Sequence, residues 1–144
     1  MTGEDAKQLF RDVIDHVWHR GDLGFIDDAY SPSFVARVPR SGYQGLDEFR
    51  RYVAETRRGI PDIYFYVKEQ YVDGDHLVTR FQMTGTHTGD FLGIPPTGKP
   101  IDVEGVAINR FHDGRFVESW TVWDVMGLCH ELGIVPPLTE LVNG

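Results

Sequence analysis

The stretch IDVEGVAINRFHDGRFVESWTVWD, residues 101–124, decides how this chain folds. Apolar and polar residues alternate on both sides of His112-Asp113-Gly114-Arg115. An Asp-Gly pair at the centre is what a tight two-residue turn with positive φ at both positions demands. Residues 101–111 and 116–124 therefore read as the arms of an antiparallel hairpin. Outward from it, IYFYVKEQYVDGDHLVTRFQMTGTH, residues 63–87, repeats the pattern around Asp73-Gly74-Asp75 with aromatic and β-branched arms, which gives a second hairpin. The connection GDFLGIPPTGKP, residues 89–100, is too rich in glycine and proline to be regular strand.

Further toward the N-terminus the period changes from two to 3.6. Ala6, Leu9, Phe10, Val13, Ile14, Val17 and Trp18 form one apolar stripe of a helix over residues 4–20, stopped by Gly21. Leu23 to Tyr30 reads as a second short helix broken by Ser31-Pro32, followed by a strand around Phe34 to Val38. Asp47 is placed to cap a third helix running to about Arg58, with Phe49, Tyr52 and Val53 turned inward. A last short helix spans Val125 to Leu132 and ends at Gly133, before a proline-punctuated tail. Helices first and strands later indicate an α+β fold, a curved antiparallel sheet covered on one side by helices. Wrapped around the N-terminal helix, such a sheet makes a cone whose open mouth suits a small molecule. The 144 residues are the size of one domain, 1–144.

Composition narrows the function. The balance of Lys plus Arg against Asp plus Glu, 14 − 22 = −8, disfavours nucleic acid. The local cluster Arg50, Arg51, Arg57 and Arg58 is interspersed with Asp47, Glu48 and Glu55 and reads as a solvated helix face. No apolar run approaches the roughly 18 residues of a membrane helix, and the N-terminus has no apolar run of a signal peptide. The expectation is a soluble, cytoplasmic protein. Lone Cys129 excludes an internal disulfide or a cysteine metal cluster. Neither a His-Glu-x-x-His run, a phosphate-binding glycine loop, a dinucleotide fingerprint nor a Gly-x-Ser-x-Gly elbow occurs. No metal and no cofactor are expected, which leaves carboxylate chemistry if the protein is an enzyme.

On the last strand Glu118, Trp120, Val122 and Asp124 share one face and Ser119, Thr121 and Trp123 the other. A two-residue turn sets Asn109 opposite Glu118, Ala107 opposite Trp120 and Val103 opposite Asp124, unless a bulge intervenes. If that face is concave, Asp124 lies in a partly apolar pocket, where desolvation raises a carboxyl pKa toward general acid/base use. The other reading makes Asp124 the N-cap of the helix that follows. Of the histidines, His16 and His19 lie off the apolar stripe and read as solvated, while His76, His112 and His130 read as surface residues. His87 ends a strand at the glycine- and proline-rich loop and lies near a pocket rim. Arg80 interrupts an apolar strand with Glu69 near it across the hairpin, either as an ion pair or as a donor to a ligand oxygen. Trp18, Phe65, Phe81, Phe91 and Trp120 are either plain core or a stacking surface for a flat aromatic ligand.

At GTHTGDFLGIPPTGKP, residues 85–100, and GRFVESWTVWDVMGLCHELG, residues 114–133, the chain resembles the SnoaL-like polyketide cyclase family, whose fold is the cone of nuclear transport factor two. The likeness extends to the N-terminal helix, FIDDAYSPSFV at 25–35, the Gly45 to Tyr52 segment and the Arg80 strand. It implies that Asp124 is the general acid/base of a metal-free, coenzyme-free intramolecular aldol closure of a polyketide ester, with His87 and Arg80 as helpers. Trp18, Arg37, Phe65, Phe81, Phe91, Asn109 and Trp120 are the expected substrate contacts. Arg37 stands where many relatives carry a histidine, which alters the expected pocket polarity. A non-catalytic carrier of a flat hydrophobic ligand, or a dehydratase, isomerase or hydroxylase on the same fold, are the other readings. A homo-oligomer, dimer or tetramer, is expected through the outer sheet face, assigned to Ser119, Thr121 and Trp123 beside Glu104, Val106 and Ile108.

Overall fold

The structure is a computed structural model that describes residues 1–38, 42–136 and 138–143. Helix α1 (Gly3–Val13) opens with a capping box in which Thr2 and Asp5 satisfy each other's backbone amides. The apolar stripe continues beyond Val13, but the hydrogen bonding does not: Ile14–His19 is a π-helical turn rather than the end of one long α-helix. Gly21, at φ +72°, turns the chain away. Then follow α2 (Phe25–Ala29), β1 (Tyr30–Val38), β2 (Gly42–Gln44), α3 (Leu46–Gly59), the hairpin β3 (Tyr64–Asp73) and β4 (His76–Thr86), and the hairpin β5 (Pro100–His112) and β6 (Arg115–Trp123). Two short helices, α4 (Val125–Glu131) and α5 (Leu138–Asn143), close the order.

Two local expectations change. Strand β1 starts at Tyr30 and runs through Ser31-Pro32, because its pairing with β6 is irregular between Tyr30 and Val35, where a proline without an N–H costs no ladder bond. The N-cap of α3 is Gly45, with no side-chain cap bond; Asp47 sits inside the first turn, where its charge favours the helix dipole.

The six strands form one sheet in the order β2-β1-β6-β5-β4-β3, with β1 parallel to β6 and the other pairs antiparallel. Asp113 (φ +50°) and Gly114 (φ +79°) make the tight turn their identities called for. Three residues past that turn the register slips. Phe111 pairs with Phe116 but Arg110 pairs with Glu118, so Val117 is an extra residue bulged from β6. The pairs become Asn109 with Ser119 and Ala107 with Thr121. A one-residue slip exchanges the faces of a strand, and the expected faces are inverted. Ser119, Thr121 and Trp123 lie on the inner side with Asn109, Ala107 and Gly105, while Trp120 and Val122 lie on the outer side with Ile108 and Val106. A second bulge, at Lys68, separates the pairs Val67–Phe81 and Glu69–Arg80.

The inner face packs on α1, the π turn and α3 through Phe10, Val13, Val17, Trp18, Val53, Leu77, Phe81 and Phe116, all buried. The arginine cluster of α3 is not simply solvated. Arg50 pairs with Asp27 at 2.9 Å, and Arg57 donates to the carbonyls of Trp18 and His19, closing the π turn from outside.

Candidate active site

Aromatic rings cluster on the inner face of the sheet. Trp18 meets Phe65 edge to face at 5.0 Å and Tyr52 at 6.2 Å, and Phe65 meets Phe81 at 5.5 Å. Trp123 meets Phe91 at 6.3 Å. Gly105 links the two groups, since a Cβ there would stand 2.6 Å from the Phe81 ring and 2.7 Å from the Trp123 Cβ. Beside these rings a cleft of about 520 Å³ opens between α3 and the loop after β4, with Tyr52, Thr56 and Arg58 on one wall and Asp90, Phe91 and Leu92 on the other. Tyr52 and Phe91 belong to both cleft and aromatic cluster. The loop wall is shaped by a tight turn in which Phe91 and Ile94 exchange both backbone hydrogen bonds, with Leu92 (φ +52°) and Gly93 (φ +76°) at its tip.

Asp124 follows Trp123, the last residue of β6. Its backbone N–H continues the ladder to the Glu104 carbonyl at 3.0 Å, and its Oδ1 accepts from the Gly127 amide at 2.8 Å as the N-cap of α4. Among the described residues nothing donates to Oδ2. The side chain is exposed, so the expected apolar enclosure of this carboxylate is not what the fold provides; the Val117 bulge turns Trp123, not Asp124, toward the interior.

His87 is fully buried where the chain leaves β4. The Thr97 amide donates to Nδ1 at 3.2 Å, and the Thr97 hydroxyl lies 3.0 Å from the same nitrogen. An amide can only donate, so in the neutral ring the proton is on Nε2, and Nε2 has no partner among the described residues. A buried donor left unmade costs about 1–3 kcal/mol. Just upstream, the two Asp62 carboxylate oxygens take the Thr86 amide and hydroxyl at 2.7 and 2.8 Å and fix the root of the loop. Burial opposes ionisation of Asp62, but these bonds outweigh it and hold its carboxyl below the usual range.

The other candidates divide. Trp18, Phe65, Phe81 and Phe91 come together in the aromatic cluster. Asn109 is buried on the inner face, its Oδ1 without a partner among the described residues, but it pairs with Leu77 near the start of β4. His87 lies beyond the end of that strand, so the two polar groups are roughly 30 Å apart along β4 and do not share a pocket. Of the two readings of Arg80 the ion pair with Glu69 is the one observed, while Arg37 and Trp120 face away from the interior, contrary to their expected place as substrate contacts. Arg80 alternates with buried Thr79 and Phe81, points outward, and pairs with Glu69 at 3.0 Å and Glu104 at 3.1 Å. Arg37 follows inward Ala36, donates to Glu118 at 2.6 Å and lies 5.7 Å over the Trp120 ring on the same outer face. Arg110 supports that carboxylate at 3.4 Å; partial burial opposes the charge of Glu118, but the two guanidiniums prevail and keep its pKa low. Parity along the strands puts all three candidates on the outside of the cone.

One residue that the helical pattern assigned to solvent belongs to the cluster's frame. His19 accepts the Phe65 backbone N–H on Nε2 at 3.0 Å and stacks on Tyr64 at 4.1 Å. Burial lowers its pKa below the ordinary 6.5; Asp15 opposes that and Arg57 adds to it. An α-helical wheel misplaces His19 because the turn that carries it is π-helical, and no composition signal marks such a turn.

Comparison with known proteins fits this geometry. The structure matches a candidate hydroxylase, AclR, from Streptomyces galilaeus at 27% identity over 99% of this chain and 89% of that one, with a TM-score of 0.86. It matches IdmH, a candidate polyketide cyclase from Streptomyces antibioticus, at 26% identity over 89% and 98% of the two chains, with a TM-score of 0.79. A candidate SnoaL-like cyclase from Jannaschia sp. CCS1 shares the fold at 23% identity over 93% and 94%, with a TM-score of 0.84. No curated protein matches the sequence. The family model for SnoaL-like polyketide cyclases matches residues 8–132, nearly the whole cone, and with its nuclear transport factor two-like α+β architecture the chain belongs to the SnoaL-like polyketide cyclase family.

Proposed function

We propose that the protein is a cofactor-independent cyclase-like enzyme acting on a flat, polyketide-derived substrate, with Asp124 as its general acid/base. The observation that supports this reading is a carboxylate directly after Trp123, a member of the aromatic cluster, with Oδ1 held by the Gly127 amide and no donor on Oδ2 among the described residues. Rings seated against Phe91 and Trp123 bring an acidic C–H to Oδ2. Asp124 takes that proton, the conjugated system spreads the enolate charge, and the new C–C bond forms at a carbonyl carbon within the same molecule. Protonated Asp124 then returns its proton to the carbonyl oxygen, so nothing is gained or lost overall. His87, buried behind the loop, is at most a helper that would need the loop to move before its Nε2–H could reach a substrate oxygen. Outward-pointing Arg80 takes no part.

Asp124→Asn should lower turnover roughly 100- to 10,000-fold with the fold intact. Near-normal turnover by the folded variant refutes the mechanism. The likeness to AclR favours hydroxylation as the second reading, and product mass decides: cyclisation conserves mass, hydroxylation adds an oxygen and dehydration removes a water. A ligand recovered unchanged after long incubation would instead identify a binding protein. No helix among the described residues is long and apolar enough to cross a membrane, and the reading places the enzyme in the cytoplasm. It also makes the protein a homodimer, paired through the corrected outer face around Trp120 and Val122.

A further inference from the structure

The corner of the aromatic cluster is Trp18 against Phe65, and it is held by a bond that depends on a proton. The Phe65 backbone N–H can only donate, so Nε2 of His19 must be unprotonated and the neutral ring carries its hydrogen on Nδ1. This bond joins the residue after Trp18 to the backbone of Phe65 itself. It therefore staples the end of the π turn to the start of β3 at the two positions whose rings meet at 5.0 Å. The third side of the corner is α3, through Tyr52 on Trp18 and through Arg57, which donates to the His19 carbonyl at 3.1 Å. Gly21 makes room for that guanidinium, because a Cβ there would stand 2.9 Å from it. π-Helical turns concentrate at functional sites, and this one carries a ring of the aromatic cluster and its fastener in succession.

We propose that His19 is a positioning residue for the pocket: its neutral imidazole holds the Trp18–Phe65 corner in the shape that takes a flat ring system, and a proton on Nε2 releases it. A protonated ring would face the Phe65 amide donor to donor, and the bond would be lost. The groups facing His19 are known on each element around it. On its own turn Asp15 favours the cation, from α3 Arg57 opposes it, and from β3 the Tyr64 ring stacks on it. The inference rests on the reading of this interior as a pocket for a flat ligand, not on the chemistry of Asp124.

The test is a titration with 9-anthracenemethanol, a flat three-ring alcohol without charge across the range used, followed by its fluorescence, alongside the Phe65 amide resonance. Affinity of the wild type should fall roughly threefold or more between about pH 7.5 and about pH 5, with the Phe65 resonance moving over the same interval. His19→Gln, whose side-chain oxygen accepts without titrating, should bind within about twofold of wild type at the higher pH and lose the pH dependence. His19→Phe should bind weakly at both. The readout is binding and not turnover, so failure of the acid/base mechanism leaves this result standing. Affinity that is flat with pH, absence of binding at the higher pH, or a pH dependence surviving in His19→Gln would each overturn the proposal.

Discussion

The proposed mechanism puts two demands on the Asp124 carboxylate, and they are separable. Oδ1 caps α4, while Oδ2 is free for chemistry. Asp124→Ser should retain the cap and hence most of the stability while losing activity; Asp124→Ala should lose activity and also about 1 kcal/mol, read from urea unfolding. Gly127 completes the arrangement, because a Cβ there would lie 2.2 Å from Oδ2 and 2.6 Å from the carboxyl carbon. Gly127→Ala should therefore expel the carboxylate from its cap, with a similar stability loss and a fall in turnover that no contact with substrate explains. The capping role of Asp124 was readable from its place before an apolar helical run, but its exposure was not, because that depends on the path of β6. His19 shows the same limit more sharply: nothing in the letters around it distinguishes a solvated ring from one that accepts a backbone amide 46 residues away. Its depressed pKa has a stability consequence. In the interval just below the ordinary 6.5 the unfolded chain takes up a proton that the folded chain resists, so stability falls as pH drops through it and is fully present above. His19→Gln should remove that part of the acid sensitivity in thermal melts.

At the scale of elements the two bulges matter most. The bulge at Val117 lets Phe116 and Ser119 both face inward on β6; with Val117 paired in a regular ladder the alternation would bury Trp120 and Val122 and expel Thr121 and Trp123. Deleting Val117 removes the bulge but keeps the same residues inward, so the deletion, like Val117→Ala, should still unfold cooperatively in thermal melts followed by circular dichroism. Loss of the cooperative melt on deletion would mean that the bend made by the bulge, and not only the register, is needed for the fold. Both hairpins were legible because Asp113-Gly114 and Gly74 satisfy a local backbone requirement that few residues meet. The bulge was not legible, since VESW alternates equally well with or without an extra residue, and its position is chosen by burial of Phe116 against Phe10 and Tyr30. The residues of the aromatic cluster were therefore readable as apolar positions and the Arg80–Glu69 pair from the hairpin register, while the outward direction of Arg37 and Trp120 was not.

For the whole molecule the inversion moves the expected contact surface. On the outer face Val106 is 39% and Val122 62% exposed, with Trp120 and Ile108 beside them, and this apolar strip is bordered by Arg80–Glu104 on one side and Arg37–Glu118–Arg110 on the other. Trp123 points inward, so Val122→Glu is the substitution that tests pairing. Light scattering at micromolar concentration should show a wild-type dimer and a monomeric, folded variant; a monomeric wild type or an unaffected dimer would exclude this face. The edge strand β3 bears on the same question differently. It has a paired neighbour on one side only, yet Lys68 bulges from its middle and sits over the Tyr66 ring at 5.3 Å. A strand from another copy laid along that edge would meet an interrupted row of donors and acceptors and a charge at the interruption. Face-to-face pairing ends at two copies, whereas edge-to-edge addition has no stopping point, so this one extra residue favours a finite particle over a growing fibre.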